Sequence, residues 1–328
     1  MGGPRSRRIV RIVIRAIVTL LMVGVLNFVL FRIIPGDPAK LLLGGARSSV
    51  TAEQMQALRQ NWGLDRPLFP DQVIDYLSAT IQGNLGYSFK FRGRHVADLI
   101  LERLPATIAL VGLAQLIAIP WGVMLGLYAG WRRGGAVDHI ATATSLALYS
   151  TPSFWLGMLL VVVFSTALGW FPGYGAYSPG AITGSLGSFL DYLLHLTLPV
   201  TAVALGLIGQ YVVVARAAMS DVVTEDYMVT ARAKGLTNRQ MLMRHAFRNA
   251  MLPVVTLIAL NLGYVVAGAI TIEAVFAWPG IGGLTVEALN ARDYPVLQGI
   301  FLLLGASIVV ANLVADLAYG FLDPRVRQ

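Results

Sequence analysis

A chain of 328 residues could hold two soluble domains, but a composition that is 56% hydrophobic and only 13% charged excludes that class. Cysteine is absent, which rules out a disulfide framework, a thiolate metal site and a cysteine nucleophile. The formal net charge of +8 does not imply nucleic acid as a partner, because the basic residues cluster beside apolar spans with no aromatic interleaving, a pattern that the positive-inside rule explains.

Crossing a bilayer core takes roughly 20 apolar residues. Six such runs occur, at about 10–31, 106–129, 139–169, 196–217, 251–273 and 296–319, so the expected fold class is an all-α polytopic membrane protein. The first run has Arg5, Arg7 and Arg8 before it and Arg11 and Arg15 in its opening turns. It is too long for the core of a signal peptide and no small-x-small site precedes Pro35, so it reads as an uncleaved signal anchor. Residues 35–104 then form the one sizeable stretch outside the spans. Pro67 and Pro70 mark a turn there, a short amphipathic helix is expected from about Asp71 with Val73, Tyr76, Leu77, Thr80 and Ile81 on one face, and residues 83–89 are turn chemistry. A region of about seventy residues buries too little surface to be autonomous, so it is expected to pack on the membrane domain. In the third run Thr151-Pro152 predicts a kinked or broken helix, since proline removes a backbone hydrogen bond.

The segment 216–253 is a polar, basic helix–turn–helix set between two apolar runs. A helix is expected over 222–234, with Glu225 and Asp226 in its first turn and Arg232 and Lys234 in its last, the charge order that suits the helix dipole. Gly235 stops it in a left-handed turn. Thr237 and Gln240 have capping-box spacing and start a second helix. Ala231 and Gly235, four residues apart, offer a small-residue face for close approach of a protein partner; an amphipathic helix lying on lipid is the other reading.

With the N-terminus inside, Arg132, Arg133, the basic residues of 216–249, Arg325 and Arg327 share one side, while 170–194 on the other carries no Lys or Arg. Both termini and the helix–turn–helix are therefore expected in the cytoplasm.

Catalytic motifs are missing. Lys40, Lys90 and Lys234 follow Ala, Phe and Ala, so no P-loop exists; His95, His139, His195 and His245 belong to no HExxH pair; Gly-x-Ser-x-Gly is absent. Glu273 and Asp316 lie near span ends, where helix capping or contact with lipid head groups is expected. Asn27, Gln115, Gln210, Asn261 and Asn312 lie within spans, where interhelical hydrogen bonds worth about 1 kcal/mol are the first expectation and lining a hydrophilic path the second. An ion-coupled transporter or a channel subunit is the rival class, although such carriers place ionisable groups inside their spans.

Particular residues carry a family resemblance. Thr230–Leu236 (TARAKGL), Arg244–Asn249 (RHAFRN) and Pro253 resemble the EAA-type coupling loop of bacterial ABC importer permeases in its dipeptide/oligopeptide/nickel branch. PGDP at 35–38, WGLDRPL at 62–68, GNLGYS at 83–88, ERLPAT at 102–107, STPSFW at 150–155, FAWPGIGGL at 276–284 and LDPRVR at 322–327 agree, in an order similar to the first of the two permease subunits. Val229, Thr230 and Ala231 depart from the generic Glu-Ala-Ala opening, and Pro253 comes late, as in the peptide branch.

The resemblance implies a type I ABC importer-like permease fold in the bacterial inner membrane, divided into residues 1–34 (N-terminus and first span), 35–104 (external loop) and 105–328 (core, with the coupling loop at 218–250). It implies a permease subunit of an ATP-driven importer that forms, with a homologous second permease, a path for peptides or similar small solutes. Two ATPase subunits or domains would dock on Glu225, Asp226, Tyr227, Ala231, Arg232, Ala233, Lys234, Gly235 and Leu236. No cofactor is expected in this chain, since ATP and Mg would bind to those partners. Gln210 and Asn261 are candidates for the path, and Tyr87 and Phe89 for contact with an extracytoplasmic substrate-binding protein, a role of the 35–104 loop as a lid alone being the alternative. Glutathione, nickel chelates and haem-like cargo fit the same motifs.

Overall fold

The computed structural model of the chain describes residues 4–32, 67–91, 93–181, 184–263, 265 and 270–322. The PGDP motif, most of WGLDRPL, the LDPRVR tail and the side chain of Asp316 lie outside the described residues. What is described is almost wholly helical, with one isolated bridge between Tyr87 and His95.

Helix α1 is Pro4–Arg32. A kinked turn over Leu68–Gln72, in which Phe69 is extended (φ −123°, ψ 133°), leads into α2, Val73–Ile81. The helix expected from Asp71 is present, but its shared face is shorter: Val73 is buried whereas Ile81 is exposed, because the chain reverses just after it at Gly83, whose φ is 77°. Helix α3, Val96–Trp131, passes through Pro105 and Pro120 without ending, and so begins well before the expected 106. Helix α4, Ala136–Ser150, stops at Thr151, whose extended backbone (ψ 127°) is what a residue before proline prefers. Helix α5, Ser153–Ala167, leaves at 97° to α4, so the third expected span is a broken pair.

Helix α6, Leu186–Val223, starts at a serine cap, the Ser185 hydroxyl accepting from the Ser188 N–H at 3.1 Å. Then come α7 (Asp226–Ala233), α8 (Asn238–Gly263), α9 (Ile270–Val275), α10 (Ile281–Ala291) and α11 (Tyr294–Leu322). The fifth span, expected as one run over 251–273, is instead α8 and the separate α9. The second helix expected from the cap at Thr237 is continuous with the span, so α8 starts thirteen residues before 251. Among the described residues five helices are long and apolar enough to cross a membrane, or six if the bent pair is one span.

The chain divides into two compact units, residues 1–104 with 284–310 and residues 105–283 with 311–328. In the first, the Asn27 amide donates to the Gln298 carbonyl at 2.8 Å and the Phe31 ring lies 5.4 Å from that of Phe301. Asp293, fully buried before α11, accepts the Ser88 hydroxyl and the N–H groups of Phe89 (3.1 Å) and Lys90 (2.9 Å). One carboxylate thereby fixes the turn at 84–95.

In the second unit α6 is the central post, with α4, α5 and α8 packed on it. Gly122, Gly126 and Gly130 recur every four residues along α3 and let its backbone meet α6. A Cβ at Gly126 would stand 2.6 Å from the Val212 carbonyl and 2.8 Å from the Ala215 Cβ; at Gly130, 2.6 Å from the Arg216 carbonyl. Gly209 of α6 lies as close to Ser145 of α4.

Gly126→Leu has no flexible neighbour to displace, so its cost is expected at the upper end of overpacking, about 3 kcal/mol. Thermal unfolding of the detergent-solubilised protein should report a clear loss, while Gly112→Ala, whose added Cβ meets only Ile108 at 4.0 Å, should match the parent.

Candidate functional site

The polar segment after α6 forms a closed hook. Helix α6 ends at Val223, and the Thr224 hydroxyl donates to the Asp221 carbonyl at 2.7 Å. Glu225 is extended (φ −70°, ψ 146°) and stands at the N-cap of α7 with its carbonyl accepting from the Met228 N–H at 2.9 Å. The helix expected over 222–234 is thus shorter. Val222 and Val223 finish α6, Glu225 precedes the first turn, and Lys234 is the C-cap, because the extended backbone of Glu225 separates two helices that the sequence pattern merges. Asp226 in the first turn and Arg232 in the last keep the expected dipole order.

Gly235 has a φ of 76°, and its N–H reaches the Arg232 carbonyl at 3.0 Å. The expected capping box follows: the Thr237 N–H donates to Gln240 Oε1 at 2.9 Å, and the Gln240 N–H donates to Thr237 Oγ1 at 3.4 Å. Helix α8 starts there, with one wide π-helical turn at Met241–Ala246.

The two faces of α7 differ. Met228 and Ala231 are buried in one apolar cluster with Ala215, Met219, Met241 and Ala246, and Leu236 packs half-buried against it. Glu225, Asp226, Tyr227, Arg232, Ala233, Lys234 and Gly235 are exposed. The Tyr227 hydroxyl accepts from the Asn249 amide at 2.9 Å, strapping α7 to α8. The small-residue face expected from Ala231 and Gly235 does not exist: Ala231 faces its own core, only 4% exposed, whereas Gly235 sits in an open turn with nothing within 4 Å of an added Cβ. Chemically, α7 presents a fixed polar edge on an apolar base, a feature suited to docking.

Gln210 and Asn261, candidates for a path, are brought together. The Asn261 amide donates to Gln210 Oε1 at 3.0 Å and to the Tyr211 hydroxyl at 3.2 Å, and that hydroxyl donates to Gln115 Oε1 at 2.8 Å. These residues tie α3, α6 and α8 by the interhelical bonding expected first. Tyr211, the fully buried centre of the chain of bonds, escaped the sequence reading because tyrosine among valines reads as apolar.

For Glu273 the structure gives helix capping, the first of the two expectations. It is fully buried, accepting the Thr107 hydroxyl at 2.8 Å and the Gly283 N–H at 3.1 Å, so it caps the N-terminus of α10. The Thr107 oxygen accepts the Ile281 N–H at 2.7 Å and the Trp278 indole N–H donates to the Ala106 carbonyl at 2.9 Å. Gly280 and Gly282 leave room for the carboxylate, and a Cβ at Gly280 would collide with it. The glycine run Gly280–Gly283 beside a lone acid was the available signal. Tyr87 and Phe89 share the turn fixed by Asp293; Tyr87 is 46% exposed with its ring 4.2 Å from that of His95. Among the described residues no group of three or more His, Asp or Glu could hold a metal ion.

Membrane-length helices interrupted by one polar hook that packs on their ends define a polytopic membrane protein. The comparisons identify which kind. Residues 122–328 match the family described as binding-protein-dependent transport system inner membrane component, and residues 6–111 match the N-terminal part of such membrane components. The chain belongs to this family, as a multi-pass inner-membrane permease subunit of an ABC importer and not an enzyme. It is 40% identical over 324 residues to the di/tripeptide transport system permease protein DppB of Pseudomonas aeruginosa, covering 93% of this chain and 94% of that one. It is 38% identical over 329 residues to the dipeptide transport system permease protein DppB of Escherichia coli strain K12, covering 94% and 95%.

Glu273→Ala should remove the acceptor of Thr107 and Gly283 in a buried site, at about 1–3 kcal/mol for a buried group left unpaired. The expected result is a lowered melting temperature in detergent, with Glu273→Gln, which keeps one acceptor oxygen, falling between the two.

Proposed function

We propose that this chain forms, with a homologous second permease, the translocation path of an ATP-driven importer for peptides or similar small solutes, and that α7 is its coupling helix. The observation that carries the reading is the two-faced hook. Its exposed edge is polar, while Met228 and Ala231 are sunk in the same cluster as the ends of α6 and α8, so a push on α7 moves both helices. Asp226, Tyr227, Arg232, Ala233 and Lys234 meet an ATPase subunit, Glu225 and Leu236 frame the helix, Ala231 anchors it, and Gly235 makes the turn. ATP and Mg bind on two such partners. Coupling requires that the two ATPase states contact α7 with different free energies.

Peptide cargo is supported by the names of the relatives. In this reading both termini and α7 face the cytoplasm, Gln210 and Asn261 border the path, and the turn carrying Tyr87 and Phe89 faces the substrate-binding protein. Residues 1–34, 35–104 and 105–328 serve as anchor, external region and core.

Two measurements test it. A valine at 235 costs on the order of 1–2 kcal/mol in a left-handed turn, and open space surrounds that position. Gly235→Val is therefore expected at parental membrane abundance but without co-purifying ATPase; retained ATPase and parental uptake would remove α7 from the coupling role. For orientation, the cysteine-free chain allows single cysteines without background. Those at Asn84 and Ser185 should react with an impermeant maleimide on intact cells, and one at Asn238 only after permeabilisation.

A further inference from the structure

We propose that Asp138 and Arg216 are positioning residues for coupling, forming the joint through which movement of α7 reaches the broken α4–α5 pair; this rests on the reading of α7 as the coupling helix. Asp138, in the first turn of α4, is only 2% exposed. Arg216 of α6 grips it with both ends of its guanidinium, Nε to Oδ1 at 2.8 Å and Nη2 to Oδ2 at 2.9 Å. The Gly134 N–H adds a bond to Oδ2 at 2.9 Å and the Thr142 hydroxyl one to Oδ1 at 3.4 Å. A planar fork on a carboxylate fixes orientation as well as distance.

The place of this pair gives it a mechanical role. Arg216 lies seven residues, about two turns, before the end of α6, where the chain passes through Thr224 and Glu225 into α7. Seven residues along each helix from the pair, Gly209 of α6 meets the Ser145 carbonyl of α4, so the two antiparallel helices are joined at two points about 10 Å apart. Two points prevent rotation about either one. The third wall is α3, whose Gly130 seats the Arg216 carbonyl. A displacement of α7 is therefore carried by α6 into α4 without slip, and α4 ends at the 97° break at Thr151-Pro152. Stability alone is a poor reason for such a pair, because the arginine side chain remains 33% exposed and apolar replacements of even fully buried ion pairs are often neutral or stabilising. Geometry is what the bidentate grip adds.

The test uses the full transporter, with partner permease, ATPases and binding protein, carrying Asp138→Asn or Arg216→Lys, the latter keeping the charge but not the fork. Membrane abundance, crosslinking of a cysteine at Ala233 to the ATPase, ATP hydrolysis and dipeptide uptake are read together. Both variants should accumulate, crosslink and hydrolyse ATP like the parent, while uptake per ATP falls roughly tenfold, within the usual range of a coupling effect. A parental ratio of uptake to hydrolysis in Arg216→Lys overturns the joint, as does a proportional fall of both, or a failure of both variants to accumulate, which would assign the pair to folding. Loss of the Ala233 crosslink in the parent transporter would instead sink the underlying reading of α7.

Discussion

The backbone-to-backbone seam of α3 on α6 is the constraint on which the second unit depends. In a bilayer, lipid tails are as apolar as leucine side chains, so burial of hydrocarbon does not hold helices together; close packing and hydrogen bonds must. Gly122, Gly126 and Gly130 allow the closest approach available, and the consequences run outward from it. Tyr211 is pressed within reach of Gln115, and Met219 is sealed so that Met228 and Ala231 have a floor to sit on.

Three buried carboxylates serve a related purpose by different means. Asp138 is held by an arginine fork, Asp293 by two amides and a hydroxyl of a distant turn, and Glu273 by a threonine and the N-terminus of α10. Each accepts several donors at once, which is what a charge removed from water requires. Each also joins segments distant in sequence, 166 residues apart for Thr107 and Glu273. They act as rivets in a protein whose apolar surfaces cannot choose partners for themselves.

That difference between local and distant chemistry explains what the sequence revealed. Gly235, the Thr237–Gln240 box and the break at Thr151-Pro152 were legible because each depends on residues within a few positions. Span number was legible from hydropathy, but span ends were not: α3 ignores Pro105, and the second helix expected from Thr237 runs on without a break into the apolar run that begins at about 251. The turn and caps of the hook were readable from its sequence, yet its faces were not. Whether Ala231 points outward or inward depends on where Met241 and Ala246 return, and no pattern within α7 contains that information. Asp293 and Tyr211 were missed for the same reason, since their partners lie far along the chain.

The split of α7 into a polar edge and an apolar base has a consequence for how such a subunit changes over time. Residues on the outer edge, Tyr227 apart, touch little of their own chain, so on the proposed reading of α7 they are free to drift in step with a docking partner. The base has no such freedom, because Met228 and Ala231 must keep fitting Met241 and Ala246. On that reading a lineage can exchange partners by rewriting a handful of surface positions, provided it leaves the socket beneath them alone.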